Sequence, residues 1–240
     1  ALLQIKKYNE AEKEIRALFY SMPRHLRPSL MTIAADHGMP GFAMRSAGLL
    51  KRDGHPVDLK ALYPFPSWQL PNEVEIDAAF IYAMVRQESQ FYSRAMSGRG
   101  ARGLMQLMPR TAASIGKSKR FRRGRGRDAL FDPKTNLILG SKYLLHLMQS
   151  GNLSGNLFKV LAAYNAGPGN LRKWERKLEY KNDPLLFIES IPSRETRHFI
   201  KKVMLGLWIY RFRLNELAPT LSDVAGGNWP KYMPASKKKL

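Results

Sequence analysis

Proline and glycine break this chain so often that only short helices and loops fit between the breaks. The sequence holds 15 prolines and 18 glycines. Between them apolar residues recur every three or four positions, and no stretch alternates as a half-buried strand would. Residues 1–63 predict helices over Tyr8–Tyr20, Ser29–His37 and Gly41–Leu50, then a short turn at Asp58–Leu62. Paired short helices at this spacing fit part of an α-solenoid and an irregular helical linker equally well. Tyr63-Pro64-Phe65-Pro66-Ser67-Trp68 cannot be helical throughout, which puts a boundary there. Beyond it, Asn72 is the expected cap of a helix with Glu73 and Glu75 in its first turn and Ile76, Ala79, Phe80, Ala83 and Met84 on its inner face. Further helices start near Pro109 and at Asp132-Pro133, where Asp serves as cap and Pro as first residue. Leu157, Val160, Leu161 and Tyr164 mark the next. Asn170 is read as the cap of Leu171–Leu178, and Pro192 as the opening of a last long helix striped by Phe199, Val203, Leu207 and Tyr210. The expected fold is all-α in three parts: a helical linker or partial α-superhelix over 1–67, a main domain over 68–215, and a C-terminal tail over 216–240.

The chain carries no cysteine, so disulfides and thiolate metal sites are excluded. No run of about 18 apolar residues suggests a membrane span. The N-terminus lacks both an initiator Met and the charged-then-apolar pattern of an export signal, so the chain is read as a processed or truncated product. A net charge of +21 predicts attraction to polyanions such as nucleic acid, anionic lipid or a carboxylate-rich wall.

Glu88 is the most informative carboxylate. Ile81, Met84, Val85 and Glu88 share a helix face, so the carboxylate edges an apolar stripe near a helix C-terminus. Desolvation and the negative end of the helix dipole both raise its pKa, as general-acid work near neutrality requires. Taken alone, such a glutamate is more often a surface residue. Its neighbourhood changes the odds. Glu88-Ser89-Gln90-Phe91 is followed by Gly103-Leu104-Met105-Gln106-Leu107-Met108-Pro109, then by Ala162-Ala163-Tyr164-Asn165-Ala166-Gly167-Pro168-Gly169, then by Glu189-Ser190-Ile191-Pro192 with Glu195-Thr196-Arg197. Each segment sets polar groups where a helix meets a turn, a setting that projects them into a cleft. Gln106 offers donor and acceptor, Asn165 likewise, Tyr164 a ring and a hydroxyl, and Met108 an apolar wall for a sugar face.

These four motifs, in this order and with the Asp132-Pro133 helix start between the second and third, resemble the soluble lytic transglycosylases, whose catalytic domain has the goose-type lysozyme fold. The resemblance is to the large periplasmic type, in which that domain follows a long helical superhelix, and it spans about Trp68 to Tyr232. It implies peptidoglycan glycan strands as substrate, Glu88 as acid and then base, and Gln106, Met108, Tyr164, Asn165 and Glu189 along the glycan cleft, with Ser89 orienting groups beside Glu88. It implies a periplasmic enzyme, exported and expected to be monomeric. One departure is visible: where the family usually carries an aromatic hydroxyl two residues after the Arg of the last motif, this chain has Phe199.

No second carboxylate has the look of a nucleophile or water-activating base, although Glu189 could approach the cleft. One acid suffices if the C6 hydroxyl of the muramyl sugar closes on its own C1, because Glu88 then gives a proton to the leaving oxygen and takes one from that hydroxyl. The five histidines show no metal spacing, and no calcium-loop or phosphate-binding pattern appears, so neither metal nor cofactor is expected. Residues 117–127 are densely basic and are read as a solvated, mobile loop that contacts an anionic wall or membrane surface. Their single aromatic, Phe121, gives little support to a nucleic-acid platform. Two other readings stay open: a wall-binding module that has lost turnover, and a basic nucleic-acid-binding helical protein.

Overall fold

A computed structural model describes residues 2–5 and 7–235. The described residues form helices and turns with three isolated β-bridges and no sheet. They divide into two compact units, Ala1–Leu70 with Gln90–Tyr92, and Pro71–Ser89 with Ser93–Leu240.

The first unit holds α1 (Tyr8–Ser21), α2 (Arg27–Asp36), α3 (Pro40–Arg52) and α4 (Leu59–Leu62), close to the segments that the apolar spacing predicts. Its core joins Phe19, Leu30, Met31, Phe42 and Leu50 across the first three helices. Gly38, with φ +67°, turns the chain between α2 and α3, and a Cβ there would lie 2.7 Å from that of Ser67.

The second unit is built on two helices, α5 (Ala78–Ser89) and the 20-residue α11 (Arg194–Arg213). They approach closely because Gly206 faces Ala83: a Cβ on Gly206 would sit 3.1 Å from the Ala83 Cβ. Phe80, Ile81, Met84 and Val85 of α5 bury against Val203, Leu207 and Tyr210 of α11, as the stripes of both helices predict. Around this pair lie α6 (Pro109–Ile115), α7 (Pro133–Gln149), α8 (Leu157–Ala166), α9 (Pro168–Glu175), α10 (Pro184–Ser190) and α12 (Pro219–Ala225). Asp132 caps α7 as expected, its carboxylate accepting from Thr135 N–H at 2.8 Å.

Several boundaries differ from the sequence reading. Helix α5 starts at Ala78 and not near Glu73, because Asp77 caps it, accepting from Phe80 N–H at 3.1 Å. Glu73 pairs with Lys134 instead. Helix α9 starts at Pro168, directly after Gly167 at φ +87°, so Asn170 lies inside the helix and donates to Ala166 O. Helix α11 is capped by Ser193. Helix α10 has no counterpart in the sequence reading; Asp183 caps it, accepting from Leu185 and Leu186 N–H. Residues 117–127, read above as a loop, hold short regular structure. They fold as short 3-10 turns over Lys119–Arg122 and Gly124–Phe131, anchored by Phe121, which is buried with Leu107, Ala112, Leu130 and Leu139. Residues 216–235, set apart above as tail, pack into the second unit. Trp229 meets Phe187 and Phe158 edge-on, and the Arg211 guanidinium donates to Met233 O at 2.6 Å. Residues 236–240, the end of that tail, lie outside the described residues.

Candidate active site

In the second unit a cavity of about 550 Å³ opens where the end of α5, residues 97–108, the end of α8 and the start of α11 converge. Glu88, in the last turn of α5, lines it. The three residues that share its helix face, Ile81, Met84 and Val85, are all fully buried, so the carboxyl stands at the edge of the core. Burial first, and then the charge of Glu195, push its pKa up to about 8. At neutral pH it is a carboxylic acid with a proton to give.

Gln106 sits in a strained turn at φ +45°. Its amide NH₂ donates to Ala95 O at 3.0 Å and Gly103 O at 2.9 Å. The backbone thus occupies both N–H groups, and the amide oxygen is left as an acceptor for a hydroxyl in the cavity. The turn itself is fixed from behind. Asn136 of α7, fully buried, accepts from Met105 N–H at 2.7 Å and donates to Arg102 O and Leu130 O, each at 2.8 Å. Gly103, φ +79°, lets this happen: a Cβ there would lie 2.3 Å from the Asn136 amide nitrogen.

Tyr164 also lines the cavity, and its hydroxyl donates to Met105 O at 2.8 Å, tying α8 to the same turn. Burial raises its pKa well above the ordinary value, and the nearby Glu88 adds to this, so it stays a phenol. The Phe199 ring stacks on it, with planes 4° apart and centroids at 6.4 Å. The departure noted at position 199 therefore keeps the aromatic contact. Asn165 accepts through Oδ1 from the Thr196 hydroxyl at 2.7 Å, which leaves its NH₂ as the donor available in the cavity. Met108, 40% exposed, supplies an apolar patch of wall.

Two expected cleft residues are placed elsewhere. Ser89 is buried and donates back to Val85 O, spent within its own helix. Glu189 is exposed on α10, paired with Lys201 of α11, and does not line the cavity. Glu195 takes the place that Glu189 was expected to fill, for it stands on the first turn of α11 as that helix enters the cavity wall. Ser97, Arg99, Thr111 and Tyr143 line the cavity too and went unremarked in the sequence. Ser97 could have been noticed, as the hydroxyl nearest the Gly-rich turn; its oxygen accepts from Ala101 N–H at 3.0 Å. Among the described residues no group of His, Asp and Glu is placed to hold a metal ion.

Comparison with known proteins places this geometry. Residues 69–187 match the model of the transglycosylase SLT domain. The chain is 36% identical over 149 residues to the soluble lytic murein transglycosylase of Salmonella typhimurium, covering 62% of this chain and 23% of that protein. It is 37% identical over 147 residues to its Escherichia coli counterpart, covering 61% and 22%. It therefore spans under a quarter of the length of these curated relatives. The crystal structure of the 70 kDa soluble lytic transglycosylase from Escherichia coli superposes with a TM-score of 0.75 at 28% identity, over 97% of this chain and 37% of that one. The structure of a 70 kDa soluble lytic transglycosylase in complex with bulgecin A also superposes with a TM-score of 0.75 at 28% identity, over 97% of this chain and 37% of that one. The all-α fold, the cavity and these matches agree: residues 69–187 match the transglycosylase SLT domain, and in this part the chain is similar to the soluble lytic murein transglycosylases.

Proposed function

We propose that this chain is a lytic transglycosylase that cuts peptidoglycan between N-acetylmuramic acid and N-acetylglucosamine and leaves 1,6-anhydromuramyl ends. The carrying observation is Glu88, a cavity carboxyl whose pKa of about 8 keeps it protonated at neutral pH. Glu88 donates its proton to the glycosidic oxygen, and the C1–O bond breaks. The Glu88 carboxylate then accepts the proton of the C6 hydroxyl as O6 bonds to C1. The proton count closes on one residue, and no water is consumed. The Gln106 amide oxygen and the Asn165 NH₂ are the free acceptor and donor for sugar hydroxyl and acetamido groups. Met108 meets an apolar sugar face, and Tyr164, held by Met105 O, fixes the wall between them. The periplasm, where such a substrate lies, is the compartment this function requires.

Glu195 supports one competing reading. It puts a second carboxylate in the cavity, as a water-using hydrolase would need. The Glu195 charge raises the Glu88 pKa, which serves ring closure equally well. Products decide. Digestion of purified sacculi should release muropeptides lighter by one water than hydrolysis gives, and Glu88→Gln should release almost none. Reducing muramic ends would establish hydrolysis, and undiminished digestion by Glu88→Gln would remove Glu88 from the chemistry.

A further inference from the structure

Two residues directly after the last turn of α5 stand in left-handed backbone, Gln90 at φ +51° and Phe91 at φ +63°. A helix commonly ends on one such residue, and glycine is its usual occupant because it has no Cβ to clash. Here two follow in succession and neither is glycine, so the turn stores strain that its surroundings must offset. Gln90 and Tyr92 are exposed, whereas Phe91 between them is 9% exposed. Phe91 closes the first of the four sequence motifs, yet it is not among the residues that line the cavity.

What holds the turn lies in the first unit, to which Gln90–Tyr92 belong. The Phe91 ring meets that of Trp68 with centroids 6.5 Å apart and planes at 45°. The Gln90 carbonyl oxygen abuts the start of α3, where a Cβ on Gly41 would lie 3.3 Å from it. These two supports are themselves joined. A Cβ on Gly38, just before α3, would lie 2.7 Å from that of Ser67, the residue preceding Trp68. Glycine at 38 and 41 thus lets the start of α3 approach both the Gln90 carbonyl and the 67–68 segment. Only Ser89 separates this seat from Glu88. The Ser89 hydroxyl donates to Val85 O at 3.1 Å, which ties the last residue of α5 to the turn before it. A displacement at Gln90 therefore reaches Glu88 as movement of a stiff helix end.

We propose that Phe91 is a positioning residue for Glu88: seated in the first unit, it holds the left-handed turn that ends α5 and so fixes where the Glu88 carboxyl stands in the cavity. This role rests on the reading of Glu88 as the acid. It makes the first unit part of the catalytic apparatus and not only a linker. Strain singles out the role, because a left-handed pair of non-glycine residues persists only where neighbouring structure imposes it, and such strain collects where a side chain must be aimed.

The test measures kcat and KM on soluble glycan strands together with the pH–rate profile. In Phe91→Ala the ring is gone and the turn relaxes, so kcat should fall about tenfold or more while KM stays within about twofold. The alkaline limb, which Glu88 sets at about pH 8 in the parent, should move to lower pH as the displaced carboxyl gains water. Phe91→Leu keeps an apolar anchor and should recover most of both. Gly41→Ala presses on the Gln90 carbonyl from outside the cavity and should reproduce the lower kcat and the displaced limb. It decides the matter if Phe91→Ala fails to fold. Leu50→Ala is the comparison: it hollows the core of the first unit at a residue 2% exposed. It should lower the melting temperature and leave kcat and the limb as in the parent when assayed well below melting. An unmoved limb with kcat within about twofold of the parent in Phe91→Ala and Gly41→Ala overturns the proposal. So does an equal change in Leu50→Ala, which would make the effect one of stability alone. Undiminished digestion by Glu88→Gln would instead overturn the assignment of the acid on which the positioning depends.

Discussion

Glu88 is held in the state its chemistry needs, and the fold bears the cost. Its folded pKa of about 8 lies above the ordinary 4.5. Between those values the folded protein holds a proton that the unfolded chain releases, so stability falls as pH rises from about 4.5 to about 8 and levels off beyond. Glu88→Gln removes this penalty. The variant should gain stability over the parent as pH rises through that window, by up to about 3 kcal/mol after allowance for solvent at the cavity mouth. Paired thermal melts at pH 4.5 and 8.5 check it, and a constant difference between the two would deny the shifted pKa. Activity carries the matching sign: turnover of the parent should hold through neutrality and decline above about pH 8, where the acid form is lost.

The cavity wall depends on elements that never touch the sugar. Asn136 of α7 makes three hydrogen bonds to the turn that carries Gln106, and it is fully buried. Asn136→Ala would strand Met105 N–H and two carbonyls away from water, at a cost of about 3 kcal/mol or more. Its kcat should fall with the stability, because Gln106 and the Tyr164 anchor at Met105 O lose their fixed positions; chemical denaturation and dye release from sacculi measure both. Tyr164→Phe, which frees only Met105 O, should cost about 1 kcal/mol. The sequence announced much of this architecture. Apolar spacing put Ile81, Met84, Val85 and Glu88 on one face, and Asp132-Pro133 marked α7, because these are signals read within one or two turns. It did not announce that Asp77, not Asn72, would cap α5, since that choice is sealed by the Arg211 guanidinium from 134 residues away. Asn136 looked like any polar residue near a helix start. The sequence reading put Glu189 along the cleft and gave Glu195 no role, because nothing local shows that α11, capped by Ser193, brings only Glu195 to the cavity. What stayed hidden was long-range, and the sequence carries no period for it.

At the scale of the molecule, the residues after α11 close the second unit. Arg211 is 1% exposed, and its guanidinium bonds Asp77 Oδ2 at 3.3 Å, Leu217 O at 3.1 Å and Met233 O at 2.6 Å. Asp77 N–H in turn donates to the Tyr232 hydroxyl at 3.3 Å. The cap of the helix that carries Glu88 is therefore braced by chain some 155 residues later. A chain ended after Asn215 would keep every cavity-lining residue and the whole of the 69–187 match, yet it would leave the Arg211–Asp77 pair buried with half its hydrogen bonds gone. Breaking such a buried charge network costs about 3–5 kcal/mol, and loss of the Trp229 contacts to Phe158 and Phe187 adds to it. The shortened protein should melt well below the full chain and be cut by protease near α5 under conditions that leave the full chain intact. Equal melting temperatures would mean that residues 216–235 only lie on the surface, and that α5 and α11 alone hold Glu88 in place.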